Sequence, residues 1–183
     1  SGLVHGVNLS GFPELTQFSD NGIVLLIEFI ALPIYAVCVM ILFGVMLLTG
    51  WSYKEASVYV CEYYQPLICA FVALSIIILI LCKLTRMNIY GRLLSLIPLF
   101  AEIYFIWQNV QVYFERKALY TGMSNDAIFK YVVDYLVEMA KRSHTNYILA
   151  NMYVYILPML MILAFGFAGK LIYRKTQVSI QKQ

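Results

Sequence analysis

Residues 96–111 read LIPLFAEIYFIWQNVQ, a stretch apolar enough to cross a membrane that nevertheless carries Glu102 near its middle and three amides behind it. Lipid offers the backbone no hydrogen-bond partners, so a membrane-spanning run must be helical. An acid at mid-membrane costs about 2.5–3.5 kcal/mol on insertion scales, so it is rarely left facing lipid. The stretch therefore predicts a bundle of membrane helices with polar side chains turned inward.

The composition of the whole chain predicts an integral membrane protein. Of its 183 residues, 62% are hydrophobic and only 13% are charged, and the mean hydropathy is +0.77. A soluble domain is about half apolar and about a quarter charged, so a large core does not explain the difference. The sequence also lacks a basic patch interleaved with aromatic residues, which argues against nucleic acid as a partner.

Four apolar runs reach the roughly 20 residues that a helix needs to cross about 30 Å of hydrocarbon. They cover residues 23–48, 57–82, 93–114 and 147–173. The first run follows Ser19-Asp20-Asn21, which is good N-cap chemistry, and it is too long for a signal peptide. We expect an all-α fold, a polytopic membrane bundle of four transmembrane helices, with residues 1–183 in a single membrane domain.

Each of the four runs contains one proline, and the set is Pro33, Pro66, Pro98 and Pro158. A proline removes a backbone donor and crowds the preceding turn, so we expect a kink in each helix. Proline is common in membrane helices, and ordinary shaping of the bundle is one interpretation. The other is that several kinks together open a cavity between the helices.

Small residues near the end of the fourth run predict close helix packing. The segment AFGFAGK, residues 164–170, places two alanines four positions apart with two glycines beside them. Such spacing lets helix backbones approach closely, either within one chain or in a dimer.

The connection between the third and fourth runs contains a fifth helix, over residues 125–142, that is too charged to span a membrane. Ser124 supplies a cap, and the charges at both ends match the helix dipole. An apolar stripe recurs at helical spacing and comprises Ile128, Val132, Leu136 and Met139. We expect an amphipathic helix at the membrane surface or across the mouth of the bundle, with this stripe docking a partner protein.

Basic residues near the helix ends predict the orientation. The connection 83–92 and the C-terminal segment 170–182 are both basic and contain no acid. With four spans these two segments lie on the same side. We expect a multi-pass protein of a bacterial cytoplasmic membrane, with both termini in the cytoplasm.

Polar side chains from three of the runs predict a site inside the bundle. Glu102 and Asn109 share one face of the third helix, and further amides lie roughly opposite, so we expect neighbours on both flanks. In this topology the polar ends of the second, third and fourth helices meet on the outer side. The candidate ligand-binding or proton-handling residues are Glu102, Glu62, Gln65, Gln108, Asn109, Gln111, Asn151 and Tyr155.

The role of these polar groups stays open at this point. Glu102 is either an acid hydrogen-bonded to tyrosine or amide groups for structural reasons, a group that handles a ligand or proton, or an accidental polar position. A structural role is favoured more strongly for Glu62, which lies closer to the membrane interface. The amides can also simply hold helices together, at about 0.6 kcal/mol each.

Catalytic and metal-binding motifs are missing from the sequence. Its two histidines, His5 and His144, lie outside the runs, and no Cys/His spacing suits zinc. No glycine-rich phosphate loop and no G-x-S-x-G motif occurs. The interior of the runs contains no lysine or arginine, and the four cysteines are interpreted as packed thiols. We expect no enzyme activity, no metal and no cofactor.

Two functions remain. The first is a non-catalytic interaction partner, an accessory subunit, receptor or immunity-type protein of an envelope system. Besides the lipid bilayer, its partner would be another membrane or envelope protein, or a second copy of the chain. The second is a small carrier or ligand-binding membrane protein that uses an outer polar pocket and Glu102, and it predicts a water-accessible cavity reaching that side chain.

Overall fold

A computed structural model of the chain describes residues 22–181. Within these residues the structure is helical and contains no strand, which confirms the predicted all-α fold. The predicted cap at Ser19-Asp20-Asn21 lies outside the described residues. From residue 22 to residue 181 the elements are α1 (Gly22–Thr49), α2 (Tyr53–Ser57), π1 (Val58–Tyr64), α3 (Gln65–Leu84), α4 (Ile89–Leu119), α5 (Asn125–Arg142), α6 (Tyr147–Asn151), π2 (Met152–Ile156) and α7 (Leu157–Gln181), where π1 and π2 are π-helical segments.

Four helices in the described part of the chain are long and apolar enough to cross a membrane, so the protein is an integral membrane protein. They are Phe29–Thr49, Tyr53–Leu84, Ile89–Leu119 and Tyr147–Thr176, which we call spans one to four. The predicted amphipathic helix at 125–142 coincides with α5. The main difference concerns span three, which the sequence ends at residue 114 and the structure extends to Leu119.

Both π-helical segments end two residues before a proline. Pro66 is the second residue of α3 and Pro158 is the second residue of α7. Proline lacks an N–H, and its ring crowds the carbonyl four residues earlier, so regular α-helical bonding cannot pass through these turns. The prolines predicted to kink spans two and four thus coincide with a change of helix type, whereas Pro33 and Pro98 lie inside continuous α-helices.

The described residues form two compact units. The first contains residues 22–56 and 124–154, including α1 and α5. The second contains residues 57–123 and 155–181, including α3, α4 and α7. Spans two and four each contribute residues to both units, so the single membrane domain stays a prediction.

In the first unit, α5 is held by its apolar stripe. Ile128 is 2% exposed and Leu136 is 1% exposed, while Val132 and Met139 are half-buried. The Ser124 hydroxyl accepts a hydrogen bond from the Ala127 amide at 3.3 Å, which confirms the predicted cap. Two members of the predicted docking stripe are therefore already buried by the protein's own chain. The docking role of the stripe itself stays a prediction.

In the second unit, α3, α4 and α7 pack against one another around a core of Cys69, Ala73 and Ile162. Glycines on α7 allow this close approach. A Cβ atom built on Gly166 would lie 2.8 Å from Cδ1 of Ile76 on α3, which is closer than real side chains come. The close packing predicted for residues 164–170 is thus confirmed within one chain.

Candidate functional site

A buried carboxylate network lies in the second unit, around Glu62 of π1. Glu62 is 2% exposed. The Tyr155 hydroxyl donates a hydrogen bond to its Oε1, and the Tyr120 hydroxyl donates to its Oε2 at 2.8 Å. The Nε atom of Arg116 lies 3.4 Å from the same Oε2. We call Glu62, Arg116, Tyr120 and Tyr155 the Glu62 network, and in it both carboxylate oxygens have partners.

Arg116 also donates a hydrogen bond to a backbone carbonyl of π1, close to Pro66. The amide of Gln65 donates to the Val60 carbonyl, five residues earlier, which is the π-helical pattern. The next carbonyl, that of Cys61, would by this pattern take its donor from residue 66, a proline with no N–H. Instead Nη1 of Arg116 donates to it at 3.0 Å. One guanidinium thus pairs with a buried acid and donates to the backbone carbonyl beside it.

Gln65 fixes Tyr155 from the other side. Its Nε2 donates to the backbone carbonyl of Tyr155 at 3.0 Å and to Sγ of Cys69 at 3.4 Å. Span two therefore holds Tyr155 at both its hydroxyl and its carbonyl. The Arg116 guanidinium lies over the Tyr155 ring, 5.5 Å from its centroid, a favourable cation–π arrangement. Of the residues predicted for the site, Glu62, Gln65 and Tyr155 come together.

Arg116 and Tyr120 belong to the network but are not among the residues predicted for the site. The predicted span three ends at residue 114 because the charges that follow resemble a loop, whereas α4 continues to Leu119. Arg116 lies in the last turn of α4, so the absence of lysine and arginine from the interior of the spans stays a prediction. A signal was present, because Glu102, Asn109 and Arg116 are each seven residues apart and share a helix face.

Glu102 stands apart from this network. It is fully buried, and among the described residues neither of its carboxyl oxygens has a hydrogen-bond partner. Fourteen residues separate it from Arg116 on α4, which is about 21 Å along the helix axis. One turn beyond it, Phe105 packs on the apolar core of the unit. The outer polar pocket and Glu102, predicted as one site, are therefore two separate places.

The remaining predicted site residues do not join either place. The buried Asn109 donates its Nδ2 to the carbonyl of Phe105, on its own helix, at 2.8 Å. Gln108 is half-buried, and the half-buried Asn151 belongs to the first unit. Gln111 is exposed, as is Trp107 at 61%. α4 contacts both α3 and α7, and the side of α4 that carries Gln111 and Trp107 is exposed.

Metal-binding and thiol chemistry find little support in the part of the chain that the structure describes. There, no group of three or more His, Cys, Asp or Glu side chains could hold a metal ion. Cys69 is buried, as expected for a packed thiol, but Cys82 is exposed near the end of span two. The packed-thiol interpretation is thus wrong for Cys82.

Comparisons with known proteins give no indication of the function. No protein-family model matches the chain, and neither the curated proteins nor the solved structures give a match. Chemically, the Glu62 network is closed, because each carboxylate oxygen is occupied by groups of the chain itself. The network links spans two, three and four. The buried carboxyl of Glu102 is not part of it.

Proposed function

We propose that the protein is a non-catalytic interaction partner in its membrane, an accessory subunit, receptor or immunity-type protein of an envelope system. Its docking surface is the outer face of α5. This face consists of five exposed residues at helical spacing, Tyr131, Asp134, Tyr135, Glu138 and Arg142. The observation that carries the proposal is the exposure of two large aromatic side chains there, with Tyr131 at 46% and Tyr135 at 56%.

The composition of the outer face of α5 favours a protein partner. Tyrosine and arginine are enriched among the residues that contribute most to protein–protein binding. Asp134 and Glu138 on the same face are unfavourable next to an anionic lipid surface. Because Ile128 and Leu136 hold the helix on its own unit, the face is presented on a fixed support. Such pre-organisation lowers the ordering cost of binding.

The test begins with a photo-crosslinking amino acid at position 135 in native membranes, to identify the neighbouring protein. That protein is then purified, and its affinity is measured for the unaltered chain, Tyr131→Ala and Tyr135→Ala. We expect each substitution to weaken binding about tenfold or more, as typical of a hot-spot tyrosine. Tyr153→Ala is the matched control, since Tyr153 is a helical tyrosine of the same unit, 61% exposed and outside α5. Equal affinity of all four proteins would overturn the proposal.

Leu136 is unsuitable for this test, although the sequence singles it out. At 1% exposure, its replacement would damage the packing of the first unit and abolish binding for an uninformative reason. Glu102→Gln provides a second control, because an interaction protein that docks through α5 retains its partner when that acid is neutralised.

A second candidate function is a small carrier or ligand-binding protein centred on Glu102. It is favoured by a specific observation, the burial of both carboxyl oxygens of Glu102 without a hydrogen-bond partner among the described residues. Buried polar groups without partners are rare and costly, and they concentrate at functional positions. Such a carboxyl keeps its hydrogen-bonding capacity for a proton, a water molecule or a ligand.

Proton flux into vesicles tests the second candidate directly. The full chain is reconstituted into liposomes that contain a pH-sensitive dye, and a pH step is applied. We expect Glu102→Ala to abolish the flux and Asn109→Ala to preserve it, since the Asn109 amide is occupied by its own helix. Vesicles containing the unaltered protein that leak no faster than protein-free vesicles would exclude a proton carrier.

We further propose that the protein resides in a bacterial cytoplasmic membrane with residues 83–92 and 170–182 in the cytoplasm. The support is the basic, acid-free character of both segments. In a cysteine-free background, Thr85→Cys and Thr121→Cys report on opposite ends of α4, and both positions are exposed. We expect an impermeant maleimide to label position 121 in intact cells and position 85 only after permeabilisation. The reverse pattern would invert the orientation.

A further inference from the structure

A groove of about 310 Å³ lies along α3 and α7 in the second unit, far from the Glu62 network. Its walls are mainly apolar and include Ile76, Leu79, Leu163 and Phe167. Three of these side chains are well exposed, with Leu79 at 58%, Leu163 at 50% and Phe167 at 59%. We call it the α3–α7 groove, and its walls belong to spans two and four.

Two glycines on α7 contribute to the shape of the α3–α7 groove. Gly166 and Gly169 both line it, so part of its surface is bare backbone. Ile76 and Ile80 of α3 occupy the space that a Cβ atom would need at these two glycines. The resulting channel runs along α3 from Ile76 to Lys83, seven residues or about 10 Å.

Two lysines stand at one end of the α3–α7 groove. Lys83, in the last turn of α3, and Lys170 of α7 both line it. The Lys83 ammonium lies 5.1 Å from the centroid of the Tyr173 ring. Long lysine side chains lay their methylene stems along apolar surface and keep the ammonium at the polar interface. At this end of the groove, apolar walls therefore lie next to two cationic side chains.

The chain supplies no acid to these lysines from the helices that form the groove. The sequence contains no Asp or Glu between residues 63 and 101, and none after residue 138. Arg92, in the first turn of α4, is engaged with the backbone, because it donates to the carbonyls of Met87 and Thr85. The positive charge at the mouth of the groove thus lacks a counter-charge on α3, on the connection, on the first three turns of α4 or on α7.

We propose that the α3–α7 groove is a binding site for one phospholipid with an anionic headgroup. The lipid phosphate lies between Lys83 and Lys170, and one acyl chain lies along Ile76, Leu79, Leu163 and Phe167. Basic pockets between membrane helices are suited to anionic headgroups, and the apolar channel below adds the burial that a free anion cannot gain. Charge and polarity along the groove therefore match the two halves of one lipid molecule.

Lipid titration of the detergent-solubilised full chain, followed by native mass spectrometry, tests this site. The probes are phosphatidylglycerol, phosphatidylcholine and inorganic phosphate. We expect one phosphatidylglycerol to bind tightly, phosphatidylcholine to bind more weakly and phosphate not to bind at equal concentration. Phosphate binding as tight as that of phosphatidylglycerol would show an anion site without a lipid.

Two double variants separate a defined site from general attraction by a basic surface. Lys83→Gln with Lys170→Gln removes both groove lysines, and we expect about a 25-fold loss of phosphatidylglycerol affinity, at about fivefold per lysine. Arg174→Gln with Lys175→Gln removes the same charge from the neighbouring part of α7, and we expect at most a few-fold loss. Equal losses in the two double variants would overturn the proposal.

A third variant tests the acyl half of the site without changing charge. Leu79→Trp adds bulk at an exposed wall of the groove, where the fold has little to lose. We expect at least a tenfold loss of affinity for phosphatidylglycerol, with an unchanged elution volume and helix content as evidence of folding. A folded Leu79→Trp protein that binds the lipid as tightly as the unaltered chain would show that the acyl chain does not occupy this groove.

Discussion

The guanidinium of Arg116 donates a hydrogen bond to the backbone carbonyl of Cys61, to which the amide of residue 66 would donate in the π-helical pattern if that residue were not proline. Hydrocarbon offers backbone carbonyls no donor, so a donor from the protein itself is favourable in a membrane helix. The arginine itself is tolerated there because Glu62, one residue after Cys61, carries the opposite charge. Arg116 thus contacts both the acid Glu62 and the π-helical turn that precedes Pro66.

Replacing Arg116 should destabilise the protein strongly. In Arg116→Ala, the buried Glu62 carboxylate loses the cation beside it, and the Cys61 carbonyl loses the hydrogen bond from the guanidinium. Removing one partner of a buried pair typically costs about 3–5 kcal/mol. The measurement is the free energy of unfolding in mixed micelles titrated with a denaturing detergent. Lys117→Ala, at the exposed next residue, should stay within about 0.5 kcal/mol of the unaltered chain, and similar losses in both variants would contradict the assignment.

Restoring the amide at residue 66 should make Arg116 less important. Pro66→Ala returns an N–H that can donate to the Cys61 carbonyl, five residues earlier, in the π-helical pattern. In the Pro66→Ala background, Arg116→Ala should therefore cost less than in the unaltered chain, by about 1 kcal/mol, the net worth of one hydrogen bond. The double-mutant cycle measures this coupling. A matched cycle with Pro98→Ala, eighteen residues from Arg116 on α4, should be additive, and additivity in the Pro66 cycle as well would refute the coupling.

Glu62 and Glu102 should respond differently to the same substitution. Glu62→Leu strands Arg116 and the hydroxyls of Tyr120 and Tyr155, so the free energy of unfolding should fall by about 3–5 kcal/mol. Glu102→Leu removes a buried carboxyl that has no partner among the described residues, so stability should rise or stay unchanged. The same detergent titration measures both. A loss of stability in Glu102→Leu comparable to that in Glu62→Leu would mean that the Glu102 carboxyl is held by a strong interaction.

The sequence predicted the spans closely because lipid leaves so few choices. An apolar run of about 20 residues has to be helical, and its length can be counted directly. The ends of α5 were also predictable, because Ser124 caps it through local hydrogen bonding. These features depend on interactions within a few residues. They need no knowledge of the other helices.

The site was predictable only in part because its geometry depends on helix pairing. Glu62, Gln65 and Tyr155 were singled out as polar residues in apolar runs, but nothing local shows that Arg116 neutralises Glu62. Its charge alone made the end of α4 resemble a loop. The π-helical turns shift side chains away from the 3.6-residue period on which face assignments depend. The exposure of Gln111, which lies on the continuous helix α4, depends on which helices pack beside α4 and could not be derived from spacing alone.

Adding a methyl group to Gly166 should destabilise the second unit, whereas the same change at Gly44 should not. The new Cβ at Gly166 would lie 2.8 Å from Ile76, while no atom lies within 4 Å of a Cβ at Gly44. Gly166→Ala should therefore cost about 1–3 kcal/mol through overpacking, and Gly44→Ala should gain about 0.5–1 kcal/mol from helix propensity. Both are measured as free energies of unfolding in mixed micelles. Ile76→Ala, which removes the opposing atoms, should recover part of the loss caused by Gly166→Ala. A Gly166→Ala protein as stable as Gly44→Ala would show that α3 and α7 are not in close contact at this point.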